Sequence, residues 1–157
     1  MRKYLKILIL LLFGSTSIFG QEVNCSDSLK IVETYKTLFT SINNNDMEAI
    51  IEMSNDKIYC LICFDGPDFS DTPYMIEKKN FLENFLLKIK ETEFYQRATK
   101  SDENHFIYEN DHRSDITVLW TVYKQDELAL GHEGAQFGIY FKKVNGVFKF
   151  AGIETIP

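Results

Sequence analysis

The chain of 157 residues carries 17 Lys and Arg against 23 Asp and Glu, a formal net charge of −6, with 45% hydrophobic and 14% aromatic residues. That length holds one domain with its own core and excludes a multidomain enzyme, while the composition excludes a disordered or fibrous chain. The acidic balance argues against nucleic acid or an anionic membrane surface as the partner, because such binding draws on clustered Lys and Arg.

The first twenty residues read as an address. Arg2, Lys3 and Lys6 make a basic start, Ile7 to Phe13 an unbroken apolar run, and Gly14 to Gly20 a mostly small and polar stretch. This is the layout of a secretory signal peptide, and the apolar run is too short to span a bilayer. Cleavage is expected after Gly20, leaving a single domain over residues 21–157. The product is expected to be periplasmic or secreted, without stable membrane insertion. Lipid attachment at Cys25 is not expected, since Asn24 and Glu22 stand where a small and an apolar residue are needed. Loss of three basic residues takes the mature chain to −9.

Ser26 or Asp27 can cap a helix whose Leu29, Val32, Tyr35, Leu38, Phe39 and Ile42 share one face. It should end near Asn43 to Asn45. Asp46 then opens a shorter helix with Met47, Ile50, Ile51 and Met53 inward, and the Asn45–Glu48 spacing suits a capping arrangement. Lys57 to Phe64 read as a strand, and residues 65–72 (DGPDFSDT) as a loop. Calcium ligand spacing is not present in that loop. A third helix should follow Pro73, with Phe81, Leu82, Phe85, Leu86 and Ile89 as its apolar stripe.

From Phe94 onward the period falls from about 3.6 to 2, which predicts strands. On one of them Ile116, Val118, Trp120 and Val122 face the helices, and Thr117, Leu119, Thr121 and Tyr123 face away. On the next, Phe137, Ile139 and Phe141 point inward and draw Glu133 to the same side. Asn145-Gly146 is a hairpin turn signal, with Phe148 and Phe150 inward beyond it.

Three cysteines are present. The C-L-I-C pair, Cys60 and Cys63, has strand-forming flanks, and strand residues three apart point to opposite faces about 10 Å apart. The pair is therefore expected to be two unbonded structural thiols without redox activity, while a bridge from Cys25 to one of them stays open. No second Cys pair and no His pair stands at ligand spacing, so neither a metal nor a cofactor is expected.

Helix, helix, strand, helix and a run of antiparallel strands is an α+β order. With Y-K-T-L-F-T-S-I-N-N-N-D-M-E-A-I-I-E-M from Tyr35 to Met53, K-K-N-F-L-E-N-F from Lys78 to Phe85 and Y-F-K-K-V-N-G-V-F-K-F from Tyr140 to Phe150, the mature chain resembles the nuclear transport factor 2 (NTF2)-like superfamily in an exported bacterial form. That group includes SnoaL-like cyclases and ketosteroid isomerases. The resemblance implies three N-terminal helices packed on a curved, mostly antiparallel sheet as a cone, with a pocket at one end and frequent dimerisation through the outer sheet face. For this chain the dimer face would be Leu119, Tyr123 and Tyr140.

Function varies widely on such a fold and is argued from the site. Aligned through Asp46, the positions of the isomerase tyrosine, base and late-strand acid fall at Leu38, at Leu61 or Ile62, and at Gly138 or Ile139, so isomerase chemistry is not expected. Expected pocket residues are Tyr35, Tyr59, Trp120, Glu133 and Phe137. These suit a non-catalytic domain binding a small apolar or amphipathic ligand or a protein partner. Two alternatives stand beside it. One is a SnoaL-like lyase, isomerase or cyclase using Glu133 or Asp65 as base, since a carboxylate among apolar neighbours has a raised pKa. The other is a structural homodimeric module. His105, His112 and His132 read as surface or interface residues.

Overall fold

The computed structural model describes residues 25–63, 74–108 and 113–157. The segment read as a signal peptide, Asp65 with its Asp-rich loop, and His112 lie outside the described residues.

Helix α1 runs over Cys25–Asn44. Its buried stripe is Ile31, Tyr35, Leu38, Phe39 and Ile42, whereas Leu29, expected inward, is 71% exposed. The stripe begins at Ile31 because Ile31, Tyr35, Leu38 and Ile42 keep the four-three-four spacing of one helix face, and Leu29 lies about 200° round from Ile31. The helix ends in a Schellman motif, with Asn45 N–H donating to the Ile42 carbonyl and Asp46 N–H to that of Ser41. Asn45 takes the left-handed conformation this requires, at φ 55. Asp46 serves the next helix as well: its carboxylate accepts the Ala49 N–H at 3.1 Å and caps α2, Met47–Met53. In α2 only Ile50 is buried, while Met47 and Ile51, expected inward, are exposed.

Strand β1, Ser54–Cys60, stops short of the expected Phe64, and Leu61–Cys63 is a 3₁₀ turn. Strand β2, Met75–Glu77, leads into the region expected to be one helix. It is three: α3, Lys78–Asn84; α4, Leu86–Glu91; and α5, Glu93–Ala98. Phe85 leaves helical geometry between the first two, and Thr92, extended, caps the third by accepting the Tyr95 N–H at 3.3 Å. Strands were expected from Phe94, because Phe and Tyr favour them; burial of Tyr95 and Ala98, three residues apart, makes this turn helical instead.

Strands β3 (Asn104–Tyr108), β4 (Ile116–Tyr123), β5 (Ala135–Val144) and β6 (Val147–Ile156) complete one six-stranded sheet in the order β2-β1-β6-β5-β4-β3. All neighbours are antiparallel except β1 and β6. Asn145 and Gly146, at φ 51 and 81, form the expected hairpin turn. Register shifts in β1–β6, β4–β5 and β5–β6 bend the sheet over the helices. The result is the α+β architecture that the resemblance implies, helices against one face of a curved, mostly antiparallel sheet.

The core lies between helices and sheet. Ile116, Val118, Trp120 and Val122 of β4, Phe137, Ile139 and Phe141 of β5, and Phe148 and Phe150 of β6 are all buried on it, as their alternation predicted. Lys90 ties α4 to the end of α1, donating to the Asn43 carbonyl at 3.0 Å and the Asn45 side chain at 2.8 Å, where a cation suits the unpaired helix carbonyls.

The cysteine expectation is overturned. Cys60 and Cys63 form a disulfide with Cα atoms 5.4 Å apart. A strand would have separated them by about 10 Å. The 3₁₀ turn rises only about 2 Å per residue and brings residues three apart onto one side.

Candidate functional site

An open cleft of about 440 Å³ lies where α1 meets the end of α5 and the start of β3. Tyr35, Lys36, Phe39, Thr40 and Asn43 come from α1, Ala98 and Thr99 from the end of α5, Ser101 and Asp102 from the following turn, Asn104 from β3 and Trp120 from β4. Its floor is aromatic. Tyr35 and Trp120 meet edge to face at 5.2 Å, Phe39 lies 5.1 Å from Trp120, and Phe137 stands behind Trp120 at 6.5 Å. Tyr95 is buried beneath this floor, 5.5 Å from Phe39 and 6.1 Å from Phe137. Burial pushes the Tyr95 hydroxyl well above the usual tyrosine range.

The walls are polar and partly committed. Asn104 Nδ2 donates to the Tyr35 hydroxyl at 3.3 Å, and the Tyr95 hydroxyl donates to Asn43 Oδ1 at 3.1 Å. Thr40 and Thr99 spend their hydroxyl protons on the carbonyls of Lys36 and Gln96. Among the described residues, Asn43 Nδ2, Asn104 Oδ1, the Lys36 ammonium and the Asp102 carboxylate have no hydrogen-bond or ion-pair partner. The cleft thus offers neutral donors and acceptors above ring edges, with one charge of each sign on its rim.

Of the expected pocket residues, the structure brings Tyr35 and Trp120 into this cleft and sets Phe137 behind it, 0% exposed. Tyr59 is elsewhere, on the outer face of the sheet, with Tyr140 at 5.3 Å and Tyr74 at 6.1 Å. There the Arg113 guanidinium lies 5.6 Å from the Tyr59 ring and 5.7 Å from that of Tyr140. Burial, followed by the hydrogen bond to Glu154, drives the Tyr140 hydroxyl far above its ordinary range. Burial likewise raises Tyr59, against a hydrogen bond from Arg113.

Glu133 is not on the apolar face beside Phe137. Strand β5 begins only at Ala135, and Gly134, at φ 98, breaks the alternation that would have carried Glu133 inward. A Cβ at Gly134 would lie 2.6 Å from the Tyr123 carbonyl oxygen, so the turn needs glycine. Glu133 is exposed and lines a separate shallow depression with Lys124, Gln125 and Gln136. His132 Nδ1 accepts the Gly134 N–H at 2.9 Å, which holds this loop, and His105 is exposed on β3.

The expected dimer face is also redistributed. Leu119 and Tyr140 lie on the outer side but are 3% and 2% exposed within the single chain. Tyr123 is turned to the helix side by the register shift after Thr121, where Phe94 packs at 5.3 Å and the Arg97 guanidinium lies 4.1 Å over its ring. At the isomerase positions, Leu38 and Ile139 are core residues, Leu61 and Ile62 sit half-buried on the 3₁₀ turn, and Gly138 packs under Leu119.

The polar wall from Thr99 to Asn104 was not foreseen. Its signal was the T-K-S-D-E-N run, polar residues just after a buried Ala98, which sequence alone reads as a solvated turn. Among the described residues no group of three or more His, Cys, Asp or Glu is gathered for a metal, and no helix is long and apolar enough to cross a membrane.

No family model matches the chain, and no curated protein matches it. Among solved structures it is similar to a designed NTF2-like protein at 16% identity and a TM-score of 0.42, over 83% of this chain and 96% of that one.

Proposed function

We propose that this is an exported, non-catalytic NTF2-like domain that binds a small amphipathic molecule in the cleft above Tyr35 and Trp120. One observation carries the reading. The aromatic interior is filled by its own side chains, while the cleft at its edge presents two amides, each with one atom bonded and the other, Asn43 Nδ2 and Asn104 Oδ1, without a partner among the described residues. Polar groups converging over an apolar floor are the usual make-up of a small-molecule site. Export draws on the basic, apolar and small-residue layout of residues 1–20. Glu133 stands outside this cleft, so no base is assigned to it.

Trp120 is the only tryptophan and forms part of the floor, so its emission reports occupancy. A panel of sugars, fatty acids and aromatic metabolites should contain at least one member that changes Trp120 fluorescence in a saturable way. A panel without effect on fluorescence or on thermal stability would remove the reading.

A second reading, a homodimer through the outer sheet face, draws on Ile107 and Ile156, which are 38% and 37% exposed on β3 and β6. Leu119 and Tyr140 add little area to it. Light scattering on the mature chain should then give twice the monomer mass, and a monomer at every concentration tried would exclude it.

A further inference from the structure

We infer that the molecule taken by the cleft is neutral and rich in hydroxyl groups, of the size of one or two sugar rings. This rests on the reading of the cleft as a ligand site and adds the class of ligand.

Hydrogen-bond inventory is the first argument. Asn43 Nδ2 offers two donors and Asn104 Oδ1 an acceptor. The Tyr35 hydroxyl, already accepting from Asn104, keeps its proton to donate. Thr40 and Thr99, having given their protons to main-chain carbonyls, can only accept. A wall that mixes donors and acceptors in this way is matched by groups that do both, and the hydroxyl is the simplest of these. A carboxylate ligand would accept only and would leave the threonine and Asn104 oxygens facing it unpaired.

Charge is the second. Lys36 and Asp102 both line the cleft. Opposite charges on one rim leave no net field to select an anion or a cation, so a neutral molecule meets the least opposition.

Apolar surface is the third. An acyl chain needs a deep apolar channel, yet Trp120 is 1%, Tyr35 7% and Phe39 8% exposed. What they leave is a narrow strip of ring edge, enough to meet the C–H face of one ring. At about 440 Å³ the cleft is at the small end of ligand sites, which run from about 300 to 1,000 Å³.

The test is titration of the isotopically labelled mature chain with glucose, N-acetylglucosamine, maltose and cellobiose, and separately with decanoate and benzoate. It is followed by Trp120 emission and by backbone amide shifts. At least one sugar should give saturable changes that include the amides of residues 99–104. Asn104→Ala should weaken that sugar about tenfold, the size of effect expected from losing one part-buried hydrogen-bonding side chain. Decanoate or benzoate binding at residues 99–104 while no sugar does would overturn the ligand class and leave the binding reading standing. No response to any probe would overturn both. A sugar whose shifts fall away from residues 99–104 would overturn the site, and since that map is made on the unsubstituted chain it holds even if Asn104→Ala fails to fold.

Discussion

The ring of Tyr35 stands edge-on to that of Trp120, centroids 5.2 Å apart and planes at 85°. This pair joins the core to the cleft. Its ring faces belong to the packed interior, where edge-to-face contacts add about 0.5–1.5 kcal/mol beyond burial. The Tyr35 hydroxyl reaches the other way and receives the Asn104 side chain of β3.

That division separates two substitutions in one cluster. Tyr35→Phe keeps the ring and removes the oxygen to which Asn104 donates, so it should cost about 0.5–1.5 kcal/mol, a single hydrogen bond. Trp120→Ala empties a site that is 1% exposed and should cost about 3–5 kcal/mol. Urea denaturation followed by circular dichroism measures both. Equal losses would mean that the hydroxyl, not the ring packing, holds this corner.

The disulfide closes a very short loop. On the chain-entropy account a cross-link spanning four residues restricts the unfolded chain by about 2 kcal/mol, well below a long-loop bridge. Reduction, or the double change Cys60→Ser and Cys63→Ser, should therefore lower the melting temperature by only about 4–8 °C and leave the fold intact. Loss of the far-ultraviolet circular dichroism signal on reduction would contradict this. A bridge from Cys25 would need one of these two sulfurs, and both are taken.

Sequence periodicity made most of the fold legible, and its failures share a cause. Strand faces came through because alternation at Trp120, Phe137, Ile139 and Phe141 is strict and each side meets a different environment. Helix–helix junctions such as Phe85 and Thr92 did not, since a capping threonine within an aromatic run looks like the entry to a strand. The 3₁₀ turn at Leu61–Cys63 escaped for a similar reason: three strand formers gave no punctuation, and the bond between Cys60 and Cys63 settled the geometry. Tyr35 and Trp120 were readable as inward-facing residues because they share faces with the core. Asn43, Ser101, Asp102 and Asn104 were not, because polar turn residues carry no signal of what they face until the strands are paired.

Acid should act first at one exposed network. Arg97 donates to Glu93 at 2.9 Å and to Glu127, and Lys124 N–H donates to Glu127 at 2.9 Å. Hydrogen bonds from Tyr123 and then Arg97 hold Glu93 below its ordinary value of 4.5. The Lys124 backbone and then Arg97 do the same for Glu127. Carboxylates lowered by folding stabilise the native state above their ordinary range, and that contribution fades as pH falls through the lower folded values. Melting temperature should therefore be flat near neutrality and decline below pH 4.5. The double change Glu93→Gln and Glu127→Gln should lower the neutral plateau slightly and flatten that decline. An unchanged acid slope in the double variant would assign acid sensitivity to other carboxylates.

Two glycines on the outer sheet face should respond differently to alanine. At Gly152 a Cβ would meet Tyr59 Cβ and the Tyr59 carbonyl oxygen at 2.7 Å each, with Tyr140 Cδ2 at 3.0 Å. The carbonyl belongs to the neighbouring parallel strand, which pairs Tyr59 with Gly152, so relief requires the β1–β6 pairing itself to shift. At Gly138 the nearest atom is Leu119 Cδ2 at 2.9 Å, the far end of a flexible side chain, followed by Glu154 Cγ at 3.3 Å. Overpacking that must move backbone sits at the upper part of a range of about 1–3 kcal/mol, and overpacking that only turns a rotamer at the lower. Gly152→Ala should therefore be the more destabilising in urea by about 1 kcal/mol or more, and should disturb the amide resonances of both Tyr59 and Tyr140. Gly138→Ala should leave those resonances in place. The reverse order would mean that Leu119 is held as rigidly as the backbone, and that the outer face is packed by its side chains and not by the Tyr59–Gly152 approach.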